Sequence, residues 1–277
     1  NVEKYPRKDM YAGKQDKEWR TWSTEEIRDY IDLISYGLLA MGYKKGDKIA
    51  TISPNKPEWN IADMALAQAG IIHVPIYPTI SMDEYEYILE HSEAKAIIVG
   101  NKSIYNKVKP IAGKISNLRE IFSFDPVEGL RQFSEIREEG KKSGAETRDE
   151  LEKIKKSILP EDIMTIIYTS GTTGTSKGVM LTHRNLVSNA ITTSKAHHLG
   201  YGNRAMSFLP LCHVYERMLN YHFQYKGISI YYVENMGTIS EAVKEVKPQI
   251  FNTVPRLLEK IYDNIISKGR NLSPLKR

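Results

Sequence analysis

The chain has 277 residues, enough for one large α/β domain or two modest ones around a substantial core. Its 41% hydrophobic and 26% charged content is that of a globular protein and excludes disorder or a fibrous repeat as the main state. The net charge of +5 comes from 39 basic residues dispersed among 34 acidic ones, which marks a mixed solvated surface and excludes a nucleic-acid footprint as its first explanation.

In chain order, the first periodic segment predicts a helix from Thr24 to Met41. Ser23 and Glu26 have capping-box spacing, Ile27, Tyr30, Ile31, Ile34, Leu38 and Met41 share one face, and Gly42 is the stop. Asp47 to Ile52 predicts a strand, Pro57 opens a second helix that Gly70 ends, and Ile71 to Ile76 predicts a buried strand. Ser81 and Glu84 repeat the capping-box spacing before a third helix, and Ala96 to Val99 is a short apolar run ended by Gly100. Arg137 to Lys156 is dominated by charge and interrupted by Gly140 and Gly144, which predicts a solvent-facing helix or a linker. Met164 to Tyr168, Met206 to Leu209, Ile228 to Val233 and Ile250 to Val254 read as further strands.

Such alternation predicts an α/β fold of mostly parallel sheets with crossover helices, and ligands in such folds sit beyond the carboxyl ends of the strands. The expected division is a first α/β subdomain over residues 1–136, a charged linker over 137–160 and a second subdomain over 161–277. No apolar run approaches the roughly 20 residues of a spanning helix, and the polar start lacks a signal-peptide core. Cys212 is the single cysteine, so an internal disulfide and a cysteine-rich zinc site are excluded and a reducing cytoplasm is the expected setting. The chain opens without methionine and closes in the basic stretch Ser273 to Arg277, as an excised piece of a longer protein would.

Chemistry concentrates in Tyr168-Thr169-Ser170-Gly171-Thr172-Thr173-Gly174-Thr175-Ser176-Lys177-Gly178, directly after a buried strand. Glycines let main chain approach an anion, hydroxyls and amide N–H groups donate to it, and a lysine adds a point charge, so the composition suits a phosphate. The bland alternative is a hydroxyl-rich hairpin loop. It is not a Walker A loop, because Lys177 follows Ser176 and precedes Gly178. Thr182 is placed to cap the next helix, which carries Leu186, Val187, Ala190 and Ile191. Gly200 to Ala205 matches the bare dinucleotide pattern, but with a helix before it and a strand after it, the reverse of what that motif requires.

Several shorter features carry two readings. His197 and His198 read as a surface pair at a helix end, with no acidic or cysteine partner at ligand spacing nearby. Cys212 beside His213 is not read as a nucleophile, since adjacent side chains point apart. Glu216 and Arg217 are either an ion pair in a pocket or the exposed start of a helix that runs through Tyr221 and Tyr225. Tyr221, Tyr225, Tyr231 and Tyr232 read as core or pocket wall and not as a stacking platform for nucleic acid.

The string from Tyr168 to Asn189, YTSGTTGTSKGVMLTHRNLVSN, resembles the phosphate-loop signature of the AMP-binding, adenylate-forming superfamily. It departs from that pattern at Ser176, where proline usually precedes the lysine, which implies a less rigid loop. The resemblance extends through Trp22-Ser23-Thr24, Ser53 to Trp59, Val74 to Thr79, Leu209 to Met218, Val254-Pro255-Arg256 and Glu259 to Tyr262, and is greatest to the long-chain fatty acyl-CoA synthetases. It implies ATP, Mg2+ and coenzyme A as cosubstrates and cofactor, and a long-chain fatty acid as the group activated. Peripheral membrane contact is compatible with such a substrate.

By the same resemblance, Thr169, Ser170, Gly171, Thr172, Thr173, Gly174 and Lys177 hold the β- and γ-phosphates, with Thr169 near the magnesium ion. Lys177 and His213 are the expected catalytic residues, and His213, Val214, Tyr215, Glu216 and Arg217 the expected acyl and adenylate pocket. Arg217 stands where some fatty acyl relatives carry a bulky aromatic gate, and departs from it. The family's acidic magnesium ligand, ribose-binding aspartate, hinge, adenylation lysine and C-terminal lid would follow Arg277, so these residues alone are expected to be inactive. The alternatives are an amino-acid or carrier-protein-loading adenylation domain and a non-catalytic anion-binding module.

Overall fold

The structure, a computed structural model, describes residues 3–169 and 176–270. Its elements in chain order are β1 (Tyr11–Gln15), β2 (Glu18–Trp22), α1 (Thr24–Ala40), β3 (Lys48–Ile52), α2 (Pro57–Gln68), β4 (Ile72–Ile76), α3 (Met82–His91), β5 (Ala96–Val99), α4 (Lys102–Ala112), β6 (Glu120–Ser123) and β7 (Arg131–Gln132). They continue with α5 (Phe133–Lys142), α6 (Ala145–Ser157), β8 (Ile163–Thr169), β9 (Lys177–Thr182), α7 (His183–Thr193), β10 (Arg204–Ser207), α8 (Val214–Lys226), β11 (Ser229–Tyr232), α9 (Ile239–Val246), β12 (Ile250–Phe251) and α10 (Pro255–Arg270).

Local signals place the early helices. The Ser23 and Ser81 hydroxyls accept from the amides of Glu26 and Glu84, whose carboxylates accept from the serine amides in return, so both expected capping boxes form. Pro57 occupies the first turn of α2, where its missing N–H costs nothing.

Two sheets result, one ordered β12-β10-β11-β1-β2 and the other β7-β6-β5-β3-β4-β8-β9. Neighbours run parallel except β1 with β2 and β8 with β9, which are antiparallel pairs. The mostly parallel α/β architecture is therefore as expected. Each sheet takes strands from both sides of residues 137–160, so the sheets do not follow the division drawn at that charged stretch. The stretch itself is helical, in α5 and α6, and both helices pack on α1.

Helices α2 and α8 lie between the sheets. Asn60 of α2 donates to Asn220 of α8 and to the hydroxyl of Tyr232 on β11, while Asp63, one turn later, meets His73 on β4 of the other sheet. Around them one apolar cluster runs from Tyr11 and Tyr232 through Trp59 and Phe223 to Ile49 and Ile98. The core is thus continuous across both sheets.

α1 and α5 cross at two glycines. A Cβ built on Gly37 would lie 1.9 Å from the Ile136 carbonyl oxygen, and one on Gly140 1.9 Å from the Leu33 carbonyl oxygen. Main chain meets main chain there, so no side chain can yield. Gly37→Ala or Gly140→Ala is expected to force the helices apart at a cost of about 1–3 kcal/mol. Urea unfolding would measure it, and a midpoint within error of the parent would contradict this crossing.

Candidate functional site

The phosphate-loop candidate lies between two strands, β8 and β9, that pair antiparallel. Thr169 at the end of β8 pairs with Lys177 at the start of β9, and Tyr168 pairs with Gly178. Thr169 and Lys177 are both exposed, at the carboxyl end of β8. Ser170, Gly171, Thr172, Thr173 and Gly174 lie outside the described residues. β9 is glycine-specific at its second residue, because a Cβ on Gly178 would lie 2.9 Å from Ile166 Cγ2 and 3.2 Å from Tyr168 Cζ. Across the sheet, β4 delivers Tyr77 to the same edge, since β4 runs parallel to β8.

From the other sheet, β10 delivers the segment that ends at His213. Asn55, just after β3, holds that segment by both faces of its amide: Nδ2 donates to the Leu209 carbonyl at 2.7 Å, and Oδ1 accepts from the Leu211 amide at 3.2 Å. Asn55 is buried, so these bonds compete with no water. Two stretches that are far apart in the sequence are thereby tied at one edge.

His213 caps α8: its Nδ1 accepts from the Tyr215 amide at 3.2 Å, which leaves the ring proton on Nε2. The exposed imidazole stands edge-on to Tyr77 at a centroid distance of 6.5 Å. Val214 and Tyr215 are exposed beside it, at 37% and 40%, so both are available to a ligand. Cys212 is buried, and burial pushes its thiol up to about 12, which removes it as a nucleophile.

Glu216 and Arg217 follow neither reading of the sequence. They are neither an ion pair with each other nor exposed, and neither lies on the wall of the large cavity described below; both are buried between the sheets. Glu216 accepts from the Ser207 hydroxyl at 2.5 Å and from Asn220 Nδ2 at 3.4 Å. Burial outweighs these bonds and pushes its carboxyl up to about 7 from 4.5. The folded protein then holds a proton that the unfolded chain releases, so stability falls as pH rises from about 4.5 to about 7. Glu216→Gln, which keeps an acceptor without the charge, should abolish that fall and be more stable than the parent at alkaline pH. Urea titrations at mildly acidic and alkaline pH would check it, and parallel curves for the two proteins would contradict it.

Arg217 organises a second network. Its Nε and Nη2 grip both Asp63 oxygens at 2.9 and 2.5 Å, and Nη1 donates to the Thr165 hydroxyl at 2.7 Å. The Thr165 hydroxyl donates in turn to the His73 carbonyl at 2.6 Å, His73 Nδ1 donates to Asp63 at 2.7 Å, and the Tyr221 hydroxyl also donates to Asp63. Burial alone would raise the Asp63 carboxyl, but Arg217 and the His73 bond hold it well below the usual carboxylate range. Burial also lowers His73, which is therefore neutral at physiological pH. The network joins α2, β4, β8 and α8 at the strand that precedes the phosphate-loop candidate.

Along α8, His213, Arg217, Tyr221 and Tyr225 recur every fourth residue and share one face. His213 faces the carboxyl edge, and Tyr221 and Tyr225 line an apolar cavity of about 670 Å3. Ile27, Met64, Met164 and Ala190 supply much of its remaining wall, and its volume is within the range of small-molecule pockets. Tyr221 thus serves the polar network with its hydroxyl and the cavity with its ring.

His197, read as half of a surface pair, instead meets His222 of α8 with the two Nε2 atoms 2.9 Å apart. The 25-residue separation hid this partner from local reading. Among the described residues no group of three or more His, Cys, Asp or Glu is placed to hold a metal, and no helix is long and apolar enough to cross a membrane. The sequence offered no signal for the roles of Asn55, Asp63, His73 or Thr165, because their partners lie in other elements.

Comparison with known proteins gives the family. A family model described as "AMP-binding enzyme" matches residues 1–277. Long chain acyl-CoA synthetase 5 of Arabidopsis thaliana is 33% identical over 96% of this chain and 42% of its own length. A long-chain-fatty-acid–CoA ligase of Mycobacterium bovis is 30% identical over 95% of this chain and 43% of its own length. The chain therefore spans about two-fifths of the length of these curated relatives. Among solved structures, a long-chain-fatty-acid–CoA ligase of Archaeoglobus fulgidus superposes with a TM-score of 0.75 at 24% identity, over 89% of this chain and 48% of that one.

Proposed function

The chain belongs to the AMP-binding enzyme family, and from that premise we propose that it carries the triphosphate-binding part of an ATP-dependent long-chain fatty acid–CoA ligase. The observation that carries the reading is the β8–β9 hairpin, which presents Thr169 and Lys177 as an exposed pair at the carboxyl edge. The acyl-CoA synthetase relatives support a fatty acid as the group activated.

In the first half-reaction a carboxylate oxygen attacks the α-phosphorus of ATP. The new phosphorus–oxygen bond forms as the bond to the β-phosphate breaks, and pyrophosphate leaves. Lys177 is placed to stabilise charge gathering on that leaving group, and fixed donors do this better than mobile water. The exposed Thr169 hydroxyl is a hard oxygen donor that fits a magnesium ion bound to the phosphates. That ion would offset the repulsion between carboxylate and triphosphate when bound. His213, with its proton on Nε2, is placed to donate to an adenylate or acyl oxygen at the same edge. In the second half-reaction the sulfur of coenzyme A attacks the acyl carbon, and AMP departs.

The residues present here are proposed to bind nucleotide weakly and to turn over negligibly on their own. Fatty-acid-dependent exchange of labelled pyrophosphate into ATP, measured on the full natural chain, tests the reading. Exchange driven by amino acids instead would favour a carrier-loading or amino-acid-activating enzyme. No exchange with any carboxylate would leave an anion-binding module.

A further inference from the structure

Both feet of the phosphate-loop hairpin are engaged by one helix that the proposed mechanism does not use. On α3, Tyr87 donates its hydroxyl to the main-chain carbonyl of Ser176 at 3.1 Å, immediately before Lys177. One turn later, His91 Nδ1 lies 2.7 Å from the hydroxyl of Tyr168, immediately before Thr169. Residues four apart share a helix face, so a single face of α3 meets the outgoing and the returning strand.

The rings reinforce the two bonds. Tyr87 and His91 stack at 5.3 Å with planes 28° apart, and Tyr168 stands edge-on to both, at 6.4 and 5.7 Å. Tyr168 in turn sits over Gly178, the residue after Lys177. The aromatic cluster therefore touches the residue on either side of Lys177: Ser176 through a hydrogen bond and Gly178 through ring contact. α3 itself is secured independently of the hairpin, by its Ser81 capping box and by Tyr85, Ile88 and Leu89 in the core beneath. A helix fixed on its own terms is a reference against which an exposed lysine can be positioned.

We propose that α3 anchors the phosphate-binding hairpin, with Tyr87 and His91 as positioning residues that set where the Lys177 ammonium meets the triphosphate. The inference rests on the ligase reading above and adds to it the element that orients the loop. An exposed lysine on a two-stranded turn has many side-chain and main-chain states. Tying both strands to one rigid face reduces the main-chain part of that freedom before the nucleotide arrives, which lowers the ordering cost of binding.

The test uses Tyr87→Phe, which keeps the ring and deletes the hydroxyl, in the full natural chain. KM for ATP is expected to rise on the order of threefold to tenfold, the factor that one net hydrogen bond represents, while kcat stays within about twofold. Hydrogen exchange at the Lys177 and Gly178 amides should quicken without any ligand present, with the thermal midpoint unchanged. His91→Phe should move both readouts in the same direction. Unchanged amide exchange in Tyr87→Phe overturns the anchor. So does an unchanged KM for ATP where Lys177→Ala raises it. Should Lys177→Ala leave nucleotide use untouched, the ligase reading fails by itself, and amide exchange alone decides the anchor.

Discussion

Arg217→Ala is expected to destabilise the fold by about 3–5 kcal/mol, because it leaves a buried carboxylate without its cation. Asp63 is fully buried, and its two oxygens accept both arms of the guanidinium. Removing the arginine also strips a donor from Thr165 on β8. The remaining bonds from His73 and Tyr221 satisfy oxygens but supply no positive charge, since burial holds His73 neutral. A loss of that size is a large share of the roughly 5–15 kcal/mol that holds a domain together.

Arg217→Lys keeps the charge but not the planar fork, so a smaller loss is expected from it. The pH dependence separates charge from packing. In the parent, the depressed Asp63 carboxyl contributes stability that is present above the ordinary carboxylate range and lost as pH falls through it and below. In Arg217→Ala that carboxyl should rise, so the variant should recover relative to the parent as pH falls. Urea unfolding across acidic pH reads both effects. A variant that unfolds at the parental midpoint would show that the ion pair bears no stability.

Lys177→Ala should do the opposite, leaving stability alone and crippling chemistry. The side chain is exposed at the start of an edge strand, so the change in unfolding free energy should stay within about 0.5 kcal/mol. Its proposed work is done on the leaving pyrophosphate, where loss of one preorganised group costs about a hundredfold in rate. Fatty-acid-dependent pyrophosphate exchange should fall by that order, and Lys177→Arg, which retains the charge, should fall less. Exchange at the parental rate in Lys177→Ala would remove this lysine from the mechanism.

Local information was legible wherever the signal and its target lie within one or two turns. Ser23 with Glu26 and Ser81 with Glu84 announced two helix starts, and Pro57 a third. The β-branched run Ala96 to Val99 is a strand over the expected residues. Short strands with no internal pattern were not legible: β1 is anchored by pairing with β11, towards the other end of the chain, β2 by pairing with β1, and β9 is a strand because β8 lies beside it.

The site divides in the same way. Residue types that attract phosphate can be read from composition, since a lysine, glycines and hydroxyls carry that chemistry wherever they are placed. Whether a charge faces solvent or a core depends on what another element brings to it. Glu216 and Arg217 are neighbours in sequence, yet one takes Ser207 from one sheet while the other takes Asp63, 154 residues away, against the other sheet. Asn55 acquires its role only when β3 and β10 end side by side. The sequence by itself determined the local elements and the family. Strand order, burial of the charges and the ties that orient the site were decided by tertiary structure, because each depends on a desolvated contact between segments that no local pattern connects.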